Sequence, residues 1–149
     1  MNERTILLVE DNANDEALTL RAFQLNDIKN PVVVARDGVE ALEYLFGTGA
    51  YAGRDARVLP ELVLLDLNLP KVSGQEVLRR LRADMRTKMV PVVVLTNSKE
   101  ELDVVASYSH GANSYVRKPV DFLEFMSLVR TLSQYWLVVN VNPLQKPGG

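Results

Sequence analysis

Leu62-Val63-Leu64-Leu65-Asp66-Leu67-Asn68-Leu69-Pro70 is an apolar run that delivers one carboxylate and then turns the chain away at Leu69-Pro70. Short aliphatic runs of this kind predict a strand covered on both faces, as in parallel sheets. An ionised Asp66 inside the sheet would be costly, which places it at the strand's C-terminal lip. In open α/β sheets that lip is where ligands bind.

Upstream, Thr5 to Val9 reads as a first strand and ends in two acids, Glu10-Asp11. Asn12 or Asn14 can cap the helix that follows, with Asp15 and Glu16 in its first turn. Leu18, Ala22 and Leu25 form its expected buried stripe. Pro31 starts a second strand, Val32-Val33-Val34-Ala35, and Asp37-Gly38 opens a helix whose Val39, Leu42 and Phe46 are expected to face inward. Gly47 and Gly49 end it. Thr48 to Leu59 is a long polar connection, which marks it as functional or as a local insertion.

Downstream, Ser73-Gly74-Gln75-Glu76 fits a capping box ahead of Val77, Leu78 and Leu81. Pro91 precedes another buried strand, Val92-Val93-Val94-Leu95-Thr96. Ser98-Lys99-Glu100-Glu101 reads as a second capping box, with Leu102, Val105 and Ala106 marking its helix. Gly111 ends that helix, Ala112 to Val116 is a short strand, and Asp121-Phe122-Leu123-Glu124 starts the last helix. There Phe122, Phe125, Met126, Val129 and Trp136 share a core-facing arc. Leu128, Leu132 and Tyr135 widen it, and Leu137-Val138-Val139 continues it. A homodimer face is expected on this surface. Residues 1–140 are expected to form one domain and 141–149, rich in Pro and Gly, a flexible tail.

Five strands alternating with five helices imply a parallel sheet with helices on both faces. The 149 residues, 47% of them hydrophobic, suffice for one domain with a real core. Lys+Arg is 17 against Asp+Glu 19, a net charge of -2 that offers no electrostatic footprint for nucleic acid or an anionic membrane. There is no cysteine, hence no disulfide and no thiolate metal site. The N-terminus lacks the pattern of a signal peptide, and no apolar run approaches the roughly 20 residues that span a bilayer. A cytoplasmic domain is expected.

In a doubly wound sheet all strand ends share one edge, so Glu10, Asp11, Asp66, Thr96 and Lys118 converge there. Taken singly, each has a bland reading: an acidic helix start, a turn residue, a strand-end hydroxyl, a solvated lysine. The ordered set is specific. From about Thr5 to Trp136 the chain resembles the receiver domain of two-component response regulators. The resemblance rests on Glu10-Asp11, Asp66 before Asn68-Leu69-Pro70 and Gly74, Thr96, and Lys118-Pro119 after Tyr115. Asp66 to Thr96 spans 30 residues and Thr96 to Lys118 spans 22, as in that family.

The resemblance implies a flavodoxin-like, doubly wound five-stranded parallel sheet of order 2-1-3-4-5 with five helices. It implies phosphoryl transfer from a histidine kinase to Asp66, assisted by Thr96 and Lys118. It implies Mg2+ held by Asp11, Asp66 and the Asn68 backbone carbonyl, with Glu10 acting through a metal-bound water. Carboxylates are competent phosphoryl acceptors, and Mg2+ favours oxygen ligands while keeping several waters. A Thr96–Tyr115 switch would convert phosphorylation into a changed protein-interaction face on helix 4, strand 5 and helix 5. A cis Lys118–Pro119 peptide is also implied. The 48–60 connection, Asn97-Ser98 and Tyr135-Trp136 look similar to single-domain regulators serving phytochrome-type histidine kinases. With the chain ending soon after the fifth helix, output is expected through a downstream protein target.

Two departures stand out: the acidic pair is Glu-Asp where Asp-Asp is commoner, and Asn97 replaces a small residue after Thr96. Among rivals, a haloacid-dehalogenase-like phosphatase would want a second Asp where Asn68 stands, and an amide cannot donate or accept a proton as a general acid or base would. A flavodoxin would want a Ser/Thr/Gly-rich loop after the first strand, where acids stand instead. A phosphorylation-independent binding module is the remaining alternative. At most weak autophosphatase chemistry is expected. His110, beside Gly111 at a helix end, is read as structural.

Overall fold

The computed structural model describes residues 4–98 and 100–144. Five strands, β1 (Ile6–Val9), β2 (Val32–Ala35), β3 (Leu62–Leu65), β4 (Val92–Thr96) and β5 (Ser114–Arg117), form one parallel sheet of order β2-β1-β3-β4-β5. The helices are α1 (Ala13–Leu25), α2 (Gly38–Phe46), α3 (Gly74–Ala83), α4 (Glu101–Ser109) and α5 (Phe122–Gln134). This is the expected doubly wound arrangement. Its register aligns Val9 with Leu65, so the residues that follow them, Glu10 and Asp66, emerge side by side.

Strand side chains alternate between two core layers. Leu7, Val9, Val63, Leu65, Val92 and Val94 pack with Leu45 of α2 and Val77, Leu78 and Leu81 of α3. Ile6, Leu8, Leu62, Leu64, Val93 and Leu95 pack on the opposite face with Ala22 and Phe23 of α1 and with Phe125 and Val129 of α5. Both faces of β1, β3 and β4 are therefore dry, which is why these strands read as continuous apolar runs.

Four of the five helix starts follow local chemistry. Asn12, Asp37, Ser73 and Asp121 each accept backbone N–H bonds from the first turn of the helix they precede. The second capping box does not form: Glu100 precedes α4 as an N-cap that makes no side-chain cap bond, and the Ser98 hydroxyl donates to Asp103 Oδ2 instead. Lys99, within that predicted box, lies outside the described residues.

Several predicted inward faces turn outward. Leu18 and Leu25 are 38% and 52% exposed, while Thr19, Ala22 and Phe23 form the buried face of α1. Val39 is also exposed, and Leu102 and Val105 of α4 are 79% and 62% exposed, with Ser107 buried in their place. On α5 Phe122 is at the margin, and Phe125 and Val129 carry the packing. Helices flanking a sheet bury only a narrow stripe, and apolar residues at its edges stay wet.

The 48–60 connection contains a single 3-10 turn, Gly49–Tyr51. Arg54 holds it closed: its guanidinium lies 4.1 Å from the Tyr44 ring centre and donates to the carbonyls of Tyr44, Leu45, Asp55 and Val58. After α5 the chain continues without a break into a π-helical turn, Tyr135–Val139, whose Leu137 is buried in the same core layer as Phe125 and Val129. Arg4 pairs with buried Glu61 and donates to the Leu137 carbonyl at 3.0 Å. Asn142, expected in the flexible tail, is 2% exposed and donates to the Glu61 carbonyl at 3.2 Å. The rest of that segment, 145–149, lies outside the described residues.

Arg82 of α3 has no carboxylate partner among the described residues, and burial pulls its guanidinium below its ordinary pKa. It donates to the carbonyls of Gly111, Lys88 and Val90 and to Asn113 Oδ1, at 2.7–2.9 Å. One fork thus ties α3 to the loops that lead into β4 and into β5. Gly111 (φ 102°) leaves it room; a Cβ there would sit 2.7 Å from the Arg82 side chain. Arg82→Ala is expected to cost about 3 kcal/mol, lowering Tm by roughly 6–12 °C. Arg82→Lys should recover little of this, because a point charge cannot make the fork. Thermal and urea unfolding of both variants provide the check.

Candidate functional site

The site forms where β1, β3 and β4 stop together. The Asp66 N–H donates to the Val9 carbonyl at 3.0 Å, so Asp66 is the first residue past the ladder. Glu10 is held in the same way by the Ala35 carbonyl at 2.9 Å. Thr96 is the last residue of β4, and its carbonyl accepts the Lys118 N–H at 2.8 Å. Main-chain pairing therefore sets the spacing of all four residues before any side chain acts.

Asp66 is 6% exposed, and both of its oxygens are engaged. Oδ1 accepts from the Thr96 hydroxyl and from the Asn68 N–H, each at 3.0 Å. Oδ2 accepts from Lys118 Nζ at 2.9 Å. The Lys118 ammonium, 4% exposed, also pairs with Glu10 and, at 2.9 Å, with Asp15 Oδ2. Asp15, Asp11 and Asn68 line the surrounding cleft with Glu10, Asp66 and Asn97. Charge-assisted hydrogen bonds of this kind are the strong ones, and each satisfies a buried charge.

Burial pushes the Glu10 carboxyl up to about 7; the Lys118 ammonium beside it offsets part of that rise, and the Asp66 charge adds to it. Burial alone would depress the Lys118 pKa, but its three carboxylate partners outweigh this and hold it above its ordinary value. Carboxylate oxygens of Glu10, Asp11 and Asp66 all lie within 4.8 Å of one another. An all-oxygen set of this charge fits a hard divalent cation, which prefers carboxylate, carbonyl and water ligands.

Glu10, Asp11, Asp66, Asn68, Thr96 and Lys118 are thus brought together as the sequence predicts. Tyr115 stands further off, half-buried, and its hydroxyl donates to the Ser98 carbonyl at 3.2 Å. The Lys118–Pro119 peptide is trans, against the expected cis form. The two isomers of an X–Pro bond differ by only about 0.5–1 kcal/mol, so the dipeptide does not decide between them. His110 stands apart from this group, its Nδ1 lying 2.7 Å from Gln75 Oε1. Sequence reading missed the part played by Asp15, placing it only as a helix-start acid. No local signal marked it, because its partner Lys118 lies 103 residues further along the chain.

Comparison with known proteins agrees with this geometry. Residues 6–130 match the family model for the response regulator receiver domain. The chain is 42% identical over 138 residues to the probable methanogenesis regulatory protein FilR2 of Methanothrix harundinacea, covering 93% of this chain and 86% of that one. It is 37% identical over 134 residues to the response regulator Rcp1 of Synechocystis, covering 90% and 89%. The Mn(2+)-bound crystal structure of Rcp1 superposes with a TM-score of 0.86 at 36% identity, covering 94% and 99%. The phosphorylated cyanobacterial phytochrome response regulator RcpA superposes with a TM-score of 0.87 at 38% identity, covering 95% and 99%. Strand order, the acidic lip and these similarities coincide: the chain belongs to the response regulator receiver domain family.

Proposed function

We propose that this chain accepts a phosphoryl group on Asp66 from a histidine kinase and passes the signal on by protein contact. The observation that carries the reading is a carboxylate at a strand lip, bonded to the Thr96 hydroxyl and the Lys118 ammonium. An Asp66 oxygen lone pair forms the new P–O bond. The bond from phosphorus to the donor's imidazole nitrogen breaks, and its electron pair leaves with the imidazole. Lys118 and Thr96 then donate to the phosphoryl oxygens.

Asp11, Asp66 and the Asn68 carbonyl would hold Mg2+, with Glu10 bonded to a metal-bound water. The metal would offset the negative charge shared by carboxylate and phosphoryl group. Hydrolysis of the acyl phosphate is a weak activity on this reading. The domain acts in the cytoplasm, and its packed part includes Asn142. Among the described residues no helix is long and apolar enough to cross a membrane.

The finer reading is a kinase of the phytochrome type, supported by the likeness to Rcp1 and RcpA. Thr96 and Tyr115 form the switch, and α4, β5 and α5 carry the changed face to a downstream protein. Val138, Val139 and Val141, at 77%, 66% and 87% exposure, support a homodimer surface beside it. Light scattering of the phosphorylated and unphosphorylated chain tests that surface; a monomer in both states would remove it.

Intact mass after incubation with acetyl phosphate tests the reading as a whole. One added phosphoryl group is expected with Mg2+ and none with the metal chelated. No addition in either case would favour a module that binds partners without being phosphorylated.

A further inference from the structure

Lys118 has three N–H donors, and all three are taken by carboxylates: Glu10, Asp15 and Asp66. The three partners are not equivalent. Glu10 and Asp66 are almost fully buried and belong to the cluster suited to a cation. Asp15 is 25% exposed, stands outside that cluster, and projects from the first turn of α1. It is the one partner that water and a helix N-terminus can stabilise once the lysine has left.

The ammonium also covers the nucleophile. Asp66 Oδ1 already accepts two hydrogen bonds, so Oδ2, bonded to Lys118, is the oxygen with fewer ties. Attack on phosphorus needs a free lone pair on Asp66, and the ammonium is then needed at the phosphoryl oxygens. Lys118 must therefore shift outward from its resting place. A long flexible side chain would do so readily, but the Asp15 ion pair at 2.9 Å anchors its tip to a rigid helix.

We propose that Asp15 is a positioning residue that pins Lys118 over the Asp66 carboxylate and thereby slows phosphoryl acceptance. The inference rests on the phosphoacceptor reading for its consequence, but the pin itself is a property of the resting protein. Asp15→Asn removes the charge and keeps the side-chain shape. Asp15→Glu keeps the charge, with one more methylene to reach the ammonium.

Two measurements decide it. In metal-free protein, the ammonium hydrogens of Lys118 in 15N-edited spectra are expected to exchange with water at least about tenfold faster in Asp15→Asn, and near the wild-type rate in Asp15→Glu. With saturating Mg2+, phosphorylation of Asp15→Asn is expected to be about threefold faster, in keeping with loss of one partly exposed ion pair. The factor should be the same for acetyl phosphate and for the less charged phosphoramidate. Unchanged ammonium exchange, or slower phosphorylation, would overturn the pin. Acceleration confined to acetyl phosphate would also overturn it, since that pattern means Asp15 merely repels the anionic donor. A wild type that neither donor modifies would instead sink the phosphoacceptor reading, and ammonium exchange would still decide whether Asp15 pins the lysine.

Discussion

Asp66→Asn is expected to abolish phosphoryl addition while leaving the fold intact. The amide keeps the shape of the carboxylate, and its Oδ1 can still accept from Thr96 and from the Asn68 N–H. What disappears is the nucleophile: an amide carries no anionic oxygen with which to form an acyl phosphate. Stability should change little, because two electrostatic effects oppose each other. The variant loses the ion pair to Lys118, although that ammonium keeps Glu10 and Asp15. It also loses repulsion from Glu10 and Asp11, whose oxygens lie within 4.8 Å. At an effective dielectric near 20, each such carboxylate pair is unfavourable by roughly 3 kcal/mol, comparable to the attraction given up. A Tm within about 5 °C of wild type is expected. Intact mass after acetyl phosphate and Mg2+ provides the check. Phosphoryl addition that survives in the variant would place the acceptor on another residue.

Gly74→Ala should damage fold and site together. α3 starts immediately against the loop that carries Asp66, and the Gly74 N–H donates to the Leu67 carbonyl at 3.1 Å. A Cβ at this position would lie 2.4 Å from the Asp66 carbonyl oxygen and 2.6 Å from Leu67 Cα. Both atoms are backbone, so neither can move aside without carrying Asp66 with it. Overpacking of this kind costs about 3 kcal/mol, and displacement of a reacting group by about 1 Å can cost 100-fold in rate. Gly74→Ala is therefore expected to lower Tm by roughly 6–12 °C. In the folded protein below that transition, the acetyl phosphate rate constant should fall at least about tenfold. A folded variant phosphorylated at the wild-type rate would show that the Asp66 backbone tolerates displacement.

The bond between Asp66 and Thr96 has a further consequence for signalling. Tyr115 contacts Ser98, two residues beyond Thr96, and Ser98 in turn donates to Asp103 of α4. A phosphoryl group that draws the Thr96 hydroxyl away from Asp66 would therefore perturb a loop already tied to both β5 and α4. Such a perturbation changes the output only if one arrangement of that loop binds the charge better than the other. The exposed Leu102 and Val105 on α4 lie on the face such a change would alter.

The order of strands and helices was legible because it is written in local patterns. Dry strands need continuous apolar runs, and Asn12, Asp37, Ser73 and Asp121 cap helices with bonds only two or three residues long. The meeting of Glu10, Asp11, Asp66, Thr96 and Lys118 was legible for a related reason. Parallel strands in one sheet all end at the same edge, so residues placed after them converge. What no short stretch could reveal depends on contacts between distant segments. The wet positions of Leu18, Leu102 and Val105 follow from how each helix rolls on the sheet, not from its own periodicity. Arg82 reads as one more surface cation until Gly111 and Asn113, about thirty residues on, supply its partners. The place of Asn142 against Glu61 was likewise decided by a contact between distant segments. Asp15 reads as an ordinary helix-start acid until the fold brings Lys118 across from the far side of the sheet. Local sequence therefore determined which residues reach the lip of this sheet, because hydrogen-bond ladders and caps act over a few residues. Only the tertiary structure decided which charges share the lysine there, because that depends on where α1 and the end of β5 meet.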